Sequence, residues 1–167
     1  IWSRTDFYYK GIDRILKAVK DLSKENFDIN FKLYIIGPDY NDGYKRIEDF
    51  VEQNKINEHV QLLKTGSYTS GTLGMLAESD LSICLSRWDG PPRVFRESIE
   101  LGVPVLGSKE SNFDVFVDNF DCGYIVNNQI ELFNMLKNIN KDDILMKREN
   151  AKKYKNYFSW KESSSDF

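Results

Sequence analysis

The sequence has few of the residues that hold small proteins together covalently or through metals. It contains two cysteines, one histidine and four prolines in 167 residues. Two cysteines do not make the disulfide framework of a small secreted domain. Cys84 lies in an apolar run and Cys122 in a polar stretch, so we expect a reducing, cytoplasmic environment. With His59 as the sole histidine and no cluster of residues at ligand spacing, we expect neither a metal ion nor a cofactor.

Long apolar runs and an excess of basic charge are also missing. No apolar run approaches the roughly 20 residues that span a bilayer. The net charge of -3 argues against nucleic acid as a partner, because such binding needs a basic face. The basic residues near the end of the chain have two interpretations, peripheral contact with anionic lipid at the inner face of a membrane or a solvated helix face with interspersed acids. They are Lys147, Arg148, Lys152, Lys153 and Lys155.

The size and composition indicate one globular domain with a core of its own. The chain is 41% hydrophobic and 29% charged, which is ordinary for a folded protein. Ile1-Trp2 is typical of the end of a strand, and residues 158–167 begin another aromatic-bearing segment. We therefore expect a domain at residues 1–157, a truncated segment at 158–167, and a larger parent protein with an N-terminal domain.

Hydrophobic periodicity predicts strands that alternate with helices. The nearly continuous apolar run at 31–36 suits a strand that is covered on both faces, as in parallel sheets. The predicted strands are 31–36, 60–63, 81–85, 103–106 and 124–126, and the predicted helices are 12–22, 44–51, 73–77, 92–101, 129–138 and 142–157. This order predicts an α/β fold with a doubly wound, mostly parallel, Rossmann-like sheet. Ligands of such folds bind outside the carboxyl ends of the strands, so the loops after the strands are candidate sites.

The first such loop, residues 3–11, carries two cations. Arg4 and Lys10 precede a predicted helix whose first backbone N–H groups are unpaired, and this combination is typical of a phosphate site. Two solvated surface charges are the alternative. The loop contains neither GxGxxG nor GxxxxGK[ST], so it is neither a dinucleotide fingerprint nor a P-loop.

The second loop, residues 87–97, places two carboxylates around the start of a helix. Asp89 precedes the helix and Glu97 lies within it, while Gly90 allows a close approach by a ligand. Carboxylates accept hydrogen bonds from the hydroxyls of a sugar and a ribose, while a helix start holds phosphate. Alternatively, Asp89 caps the helix and Glu97 pairs with Arg93.

These motifs resemble those of the family four retaining glycosyltransferases, which have the GT-B fold. Asp89 to Glu97, followed by the residues at 98–105, is similar to the E-x7-E stretch of that family. Arg4 and the Lys-Gly-hydrophobic-Asp residues at 10–13 resemble the opening of its donor-binding domain. Shorter similarities at 35–37, 60–66 and 77–86 follow in the same order. The resemblance covers almost the whole chain, but only the C-terminal one of the family's two domains.

The resemblance implies a role for each candidate residue. Arg4 and Lys10 would bind the donor diphosphate and stabilise the charge that grows as it departs. Glu97 would bind the ribose hydroxyls, and Asp89 would lie near the donor sugar as a third catalytic residue.

The lining of the pocket is implied in the same way. Gly90, with the helix-start amides of Arg93 and Val94, would surround the sugar phosphate. This sequence departs from the family in three places. Asp89 is one methylene shorter than Glu, and prolines at 91 and 92 remove two backbone donors. After the strand at 103–106 the family often has a Gly-Gly and a Glu, whereas the loop at 108–114 offers Asp114 at best, so we assign it no role.

The implied activity is transfer of a sugar from a nucleoside diphosphate sugar to an acceptor hydroxyl, with retention and without a metal ion. A role in polysaccharide or glycoconjugate synthesis follows by analogy. A sugar or lipid-linked acceptor would bind the N-terminal domain, so we expect the chain alone to be inactive. The alternatives are a GT-B nucleotide-sugar epimerase or sugar-phosphate synthase, and a non-catalytic regulatory or interaction module.

Overall fold

The computed structural model describes residues 1–25, 31–65, 70–89 and 93–157, in which helices and strands alternate. The helices are α1 (Ile12–Lys24), α2 (Gly43–Gln53), α3 (Ser70–Glu78), α4 (Arg93–Glu100), α5 (Asp114–Phe120), α6 (Gln129–Asn138) and α7 (Lys141–Lys153). The strands are β1 (Leu33–Gly37), β2 (Val60–Lys64), β3 (Ser82–Cys84), β4 (Val105–Ser108) and β5 (Gly123–Val126). The predicted alternation is confirmed.

Every strand pairing in the described residues is parallel, as predicted. β1 pairs with β2, and β4 lies between β3 and β5. The start of the chain extends the sheet of β1 and β2, because Trp2 forms a parallel bridge with Ile36 of β1. The Ser3 N–H continues this pairing by donating to the Ile36 carbonyl at 3.1 Å.

Helices cover both faces of the strands, because alternate strand residues enter two different hydrophobic clusters. Ile35 and Leu106 pack with α1, α2 and α6, whereas their neighbours Ile36 and Val105 pack with α3, α4, α5 and α7. Successive side chains of a strand point to opposite faces, so continuous apolar runs bury both. The expected doubly wound architecture is therefore confirmed.

The structure corrects the prediction in the region that follows β4. Residues 109–111 form a 3-10 helix within the predicted loop at 108–114, and α5, which the sequence analysis did not predict, begins at Asp114. The final helix ends at Lys153 and not at 157. Gly66, at the end of a predicted motif, and the segment 158–167 lie outside the described residues.

The basic residues of α7 do not form one solvated face. Lys147 pairs with Asp121 and is only 14% exposed. The guanidinium of Arg148 donates to the backbone carbonyls of Ala77 and Ser79. These contacts anchor α7 to the rest of the domain. Among the described residues, no helix has the length and apolar character needed to cross a membrane.

Candidate functional site

A cavity of about 600 Å³ lies between the opening segment of the chain, the end of β3 and the first turns of α4. Six of the seven predicted site residues line it. They are Arg4, Lys10, Asp89, Arg93, Val94 and Glu97. The seventh, Gly90, lies outside the described residues. The two loops chosen from the sequence thus meet at one cavity, and the roles of their residues remain predictions.

The opening segment reaches this cavity because it passes close to the end of β1. Gly37 has φ of 152°, and a Cβ there would lie 1.9 Å from the carbonyl oxygen of Ser3. Only glycine permits such an approach. Beyond it, the Thr5 N–H donates to the Pro38 carbonyl at 2.9 Å. Arg4 projects between these anchored residues.

Arg4 occupies the exposed side of the site. Its guanidinium lies 4.4 Å from the ring centroid of Tyr40 and 5.8 Å from that of Tyr9. Its Nη2 is 4.0 Å from Oδ2 of Asp6. The side chain is 45% exposed, so these contacts orient the charge and leave it accessible to an anion.

Lys10 lies deeper, and its ammonium group forms an ion pair with the carboxylate of Asp89. The two side chains are only 18% and 23% exposed, and they are 79 residues apart in sequence. Lys10 precedes Gly11, whose φ of 67° begins α1. A Cβ on Gly11 would lie 2.0 Å from the Leu85 carbonyl oxygen, so this glycine lets the start of α1 approach the end of β3.

Glu97 faces the cavity from α4 in a partly apolar environment. Burial raises the pKa of its carboxyl group, and this effect is opposed first by a side-chain hydrogen bond from Trp2 and then by the charge of Arg93. Trp2 lines the same cavity. The anticipated influence of Arg93 is present, while the contact with Trp2 was not anticipated.

The segment to which the sequence analysis gave no role supports the loop that carries Asp89. The side-chain amide of Asn112 donates to the Asp89 carbonyl at 2.6 Å. Asn112 has φ of 55°, a conformation that asparagine adopts more readily than most residues. Below it, the hydroxyl of Ser108 donates to the Ser86 carbonyl at 2.7 Å. An asparagine after a strand end is the signal that could have revealed this support.

A partly buried ion pair joins the second loop to the first turn of α1. Arg87 donates two hydrogen bonds of 2.7 Å to the carboxylate of Asp13, which is 7% exposed. Its guanidinium also lies 3.7 Å from the ring centroid of Tyr8. The hydrogen bonds to Asp13 raise the pKa of Arg87. The Arg87 N–H donates to the Tyr9 carbonyl at 2.9 Å, and both loops are held in register.

These features agree with a match to a protein family. A family model described as "Glycosyl transferases group 1" matches residues 3–157. The chain belongs to the group 1 glycosyl transferases. Its expected family membership is confirmed. No curated protein gives a significant sequence match.

Solved structures of similar fold include two glycosyltransferases and a protein in complex with UDP. WaaG, "a glycosyltransferase involved in lipopolysaccharide biosynthesis", has a TM-score of 0.75 and 22% identity over 92% of this chain and 41% of its own. The C-terminal domain of LpcC from Francisella tularensis has a TM-score of 0.78 and 15% identity over 94% of this chain and 83% of its own. HepE from Anabaena in complex with UDP has a TM-score of 0.77 and 18% identity over 93% of this chain and 43% of its own.

This group 1 domain therefore has the Rossmann-like fold of the C-terminal domain of GT-B glycosyltransferases. It spans about two fifths of the length of WaaG and HepE. Its cavity is lined by three cations that can bind an anionic group, Arg4, Lys10 and Arg93, together with two carboxylates that can accept hydrogen bonds from hydroxyls. Among the described residues, no three His, Cys, Asp or Glu side chains are grouped so that they could hold a metal ion.

Proposed function

We propose that this chain is the donor-binding domain of a retaining glycosyltransferase that uses a nucleoside diphosphate sugar. The observation that carries the proposal is the shared cavity of Arg4, Lys10, Asp89 and Glu97. Its position at the carboxyl ends of parallel strands is where α/β folds bind nucleotides. The structural similarity to HepE in complex with UDP supports the same class of ligand.

In this proposal Arg4 and Lys10 bind the diphosphate and act in the departure of this group without a metal ion. Negative charge grows on the leaving oxygen, so a positioned cation stabilises the transition state more than the ground state. Lys10 has three N–H donors, so it can keep its contact with Asp89 while it donates to a phosphate oxygen. Asp89 thereby holds the ammonium group in place and stays close to the donor sugar.

Glu97 would accept hydrogen bonds from the ribose hydroxyls of the nucleotide. Its partial burial and its place in the cavity strengthen such bonds, because water competes less for them. The backbone amides of Arg93 and Val94 begin α4, where the positive end of the helix favours the phosphate. Gly90 would complete the lining on the sugar side.

The remaining parts of the reaction belong to a second, N-terminal domain. We propose that this domain binds a sugar or lipid-linked acceptor, that the protein acts in the cytoplasm, in peripheral association with the inner face of a membrane, and that the product is a polysaccharide or glycoconjugate. The role of WaaG in lipopolysaccharide biosynthesis supports this pathway class.

A sugar-phosphate synthase is the second candidate. The sucrose-phosphate synthase of Thermosynechococcus elongatus has the same fold, with a TM-score of 0.77 and 18% identity over 95% of this chain. Both candidates use the same donor chemistry and differ in the acceptor. Product analysis with sugar phosphates and with glycan or lipid-linked acceptors distinguishes them in the two-domain protein.

The donor site is tested by calorimetric titration of this chain with UDP, GDP and ADP. We expect one of them to bind, and we expect Lys10→Ala and Glu97→Gln each to weaken that binding by about tenfold or more. Lys24→Ala, at the far end of α1, is the matched control and should bind like the native chain. Absence of binding by all three nucleotides, or native affinity in both site variants, would refute the site. We expect no sugar transfer by the isolated chain.

A further inference from the structure

A second cavity, of about 330 Å³, lies on the other side of the end of β3. Cys84 and Ser86 line the first cavity, whereas Leu85 and Arg87 line the second. Successive side chains of an extended segment point to opposite sides, so this segment separates the two cavities. The first turns of α1 and the start of α6 complete the second cavity, and the two linings share no described residue.

The described lining of this second cavity is mainly basic. Its cations are Arg14, Lys17 and Arg87, and its carboxylate is that of Asp13. Positions 13, 14 and 17 lie on one face of α1, because residues three and four apart are neighbours on a helix. Glu110 adds a carboxylate from outside the lining, through its ion pair with Arg14 at 2.9 Å. The three cations therefore exceed the two carboxylates that contact them by one positive charge.

Lys17 is the cation of this group that is most accessible to a ligand. Its Nζ lies 3.6 Å from the Asp13 carboxylate, beyond hydrogen-bond distance, and its side chain is 51% exposed. By contrast, Arg87 donates two hydrogen bonds of 2.7 Å to Asp13. Arg14 donates two to Glu110, at 2.9 and 3.3 Å. The carboxylates thus fix the two guanidinium groups, while the three donors of Lys17 can turn to an anion.

The start of α6 gives the same cavity a neutral, polar part. Asn127, Asn128 and Gln129 line it, and side-chain amides can hydrogen-bond hydroxyl groups as donors or acceptors. Glu131 accepts from the amides of Asn127 and Asn128 at 2.8 and 3.0 Å. The volume of about 330 Å³ is within the range of small-molecule sites. The cavity therefore combines cations with amides in a space that admits more than a phosphate group.

We propose that this second cavity binds a small phosphorylated sugar. Lys17 is the principal contact of the phosphate, Arg14 and Arg87 are the further cations around it, and the amides at 127–129 bind the hydroxyls. A phosphate group carries up to two negative charges and three acceptor oxygens, so several cations can share it. The site is separate from the donor cavity, and its occupation does not depend on nucleotide binding.

The test is an NMR titration of the isotope-labelled chain with inorganic phosphate, glucose 6-phosphate and glucose at constant ionic strength. We expect both phosphates to shift the backbone amide signals of residues 13–17 and 127–129. Glucose 6-phosphate should bind about three- to tenfold more tightly than inorganic phosphate, because its hydroxyls add hydrogen bonds. Glucose should cause no such shifts at the same concentrations. Equal shifts with glucose, or phosphate shifts confined to the donor cavity, would overturn the proposal.

Two variants should change the affinity in opposite directions. Lys17→Ala should weaken the binding of glucose 6-phosphate by about five- to tenfold, because it removes the accessible cation. Glu110→Gln should strengthen it by about two- to fivefold, because it removes the negative charge beside Arg14. Lys24→Ala changes the net charge equally at the far end of α1 and should bind like the native chain. Native affinity in Lys17→Ala, or weaker binding by Glu110→Gln, would overturn the site.

Lys10→Ala distinguishes the second cavity from the donor cavity, which also contains cations. This variant should lose the phosphate shifts around Arg4 and keep those at residues 127–129. If it loses both sets of shifts, one site accounts for all the binding and the second site is overturned. If no nucleotide binds the chain but the shifts at 127–129 persist, the proposed donor site is wrong and the second site stands.

Discussion

The ammonium group of Lys10 is paired with the carboxylate of Asp89 in the lining of the cavity. These residues belong to the two loops that the sequence analysis selected for opposite reasons, one for its cations and the other for its acids. Since each neutralises the other, the charge that a diphosphate meets depends on both side chains.

The first prediction concerns this pair. Lys10→Ala should weaken nucleoside diphosphate binding by about 10- to 100-fold, because it removes a charge-assisted contact worth about 1.5–3 kcal/mol. Asp89→Asn should instead strengthen the binding of the free diphosphate by about two- to fivefold, because it removes a negative charge near the phosphates. Titration calorimetry at low salt measures both effects.

Asp89→Asn should nevertheless lower turnover in the two-domain protein, since Asp89 is the proposed contact of the donor sugar. Weaker diphosphate binding by Asp89→Asn would contradict the electrostatic account of the site. Lys24→Ala again serves as the control for a change of net charge.

The second prediction concerns Glu97 and pH. Because burial raises the pKa of Glu97 in the folded state, the folded protein binds a proton more readily than the unfolded chain does. Stability is therefore lost as the pH rises through the acid range and the buried carboxyl ionises. Glu97→Gln removes this cost and should melt about 1–3 °C higher than the native chain at pH 8.

The difference in melting temperature should vanish at a pH below the unfolded pKa of a glutamate, which is about 4.3. Thermal unfolding of both proteins across this range provides the measurement, and Glu52→Gln on the exposed face of α2 is the control. A lower melting temperature for Glu97→Gln at pH 8 would show that its ionised form is stabilising and that the stated pKa direction is wrong.

The third prediction concerns the buried pair of Asp13 and Arg87. Asp13→Asn leaves a partly buried guanidinium without its counter-ion and should cost about 3 kcal/mol in the free energy of unfolding. Lys17 also approaches Asp13, at 3.6 Å, but its side chain is 51% exposed. Lys17→Ala should therefore cost less than about 0.5 kcal/mol. Urea titration measures the free energy of unfolding of both variants. If the two substitutions destabilise the fold equally, Arg87 is not the principal partner of Asp13.

The fourth prediction compares two glycines. Gly11→Ala places a Cβ 2.0 Å from the Leu85 carbonyl oxygen at a position with φ of 67°, and should destabilise the fold by about 2 kcal/mol or more. A Cβ on Gly74, within α3, would meet no atom within 4 Å. Gly74→Ala should therefore stabilise the fold by about 0.5–1 kcal/mol.

Both glycine variants are measured by denaturant unfolding. Gly11→Ala should also weaken nucleotide binding, because Lys10 is its immediate neighbour, whereas Gly74→Ala should bind nucleotide normally. Destabilisation by both variants to the same extent would show that the close contact at Gly11 relaxes at little cost.

Much of the fold could be predicted because its signals are local. The continuous apolar run before Gly37 predicts a strand that is buried on both faces, and the spacing of Ile12, Ile15 and Val19 predicts the helix that covers one of them. The missed helix α5 has few turns and follows a strand directly, so it offers little periodicity. Its buried residue Val117 and the buried Phe113 that precedes it reveal a helix only once the fold is known.

By itself, the sequence determined the order of strands and helices, the loops that carry charge, and the resemblance that led to the family, because hydrophobic period and motif spacing depend on neighbours along the chain. Only the tertiary structure decided that Lys10 contacts Asp89, that Trp2 and Glu97 line the same cavity, and that Asn112 supports the loop that carries Asp89. Such contacts join residues far apart in sequence, and they exist because parallel strands end at one edge of the sheet and bring separate loops into one cavity.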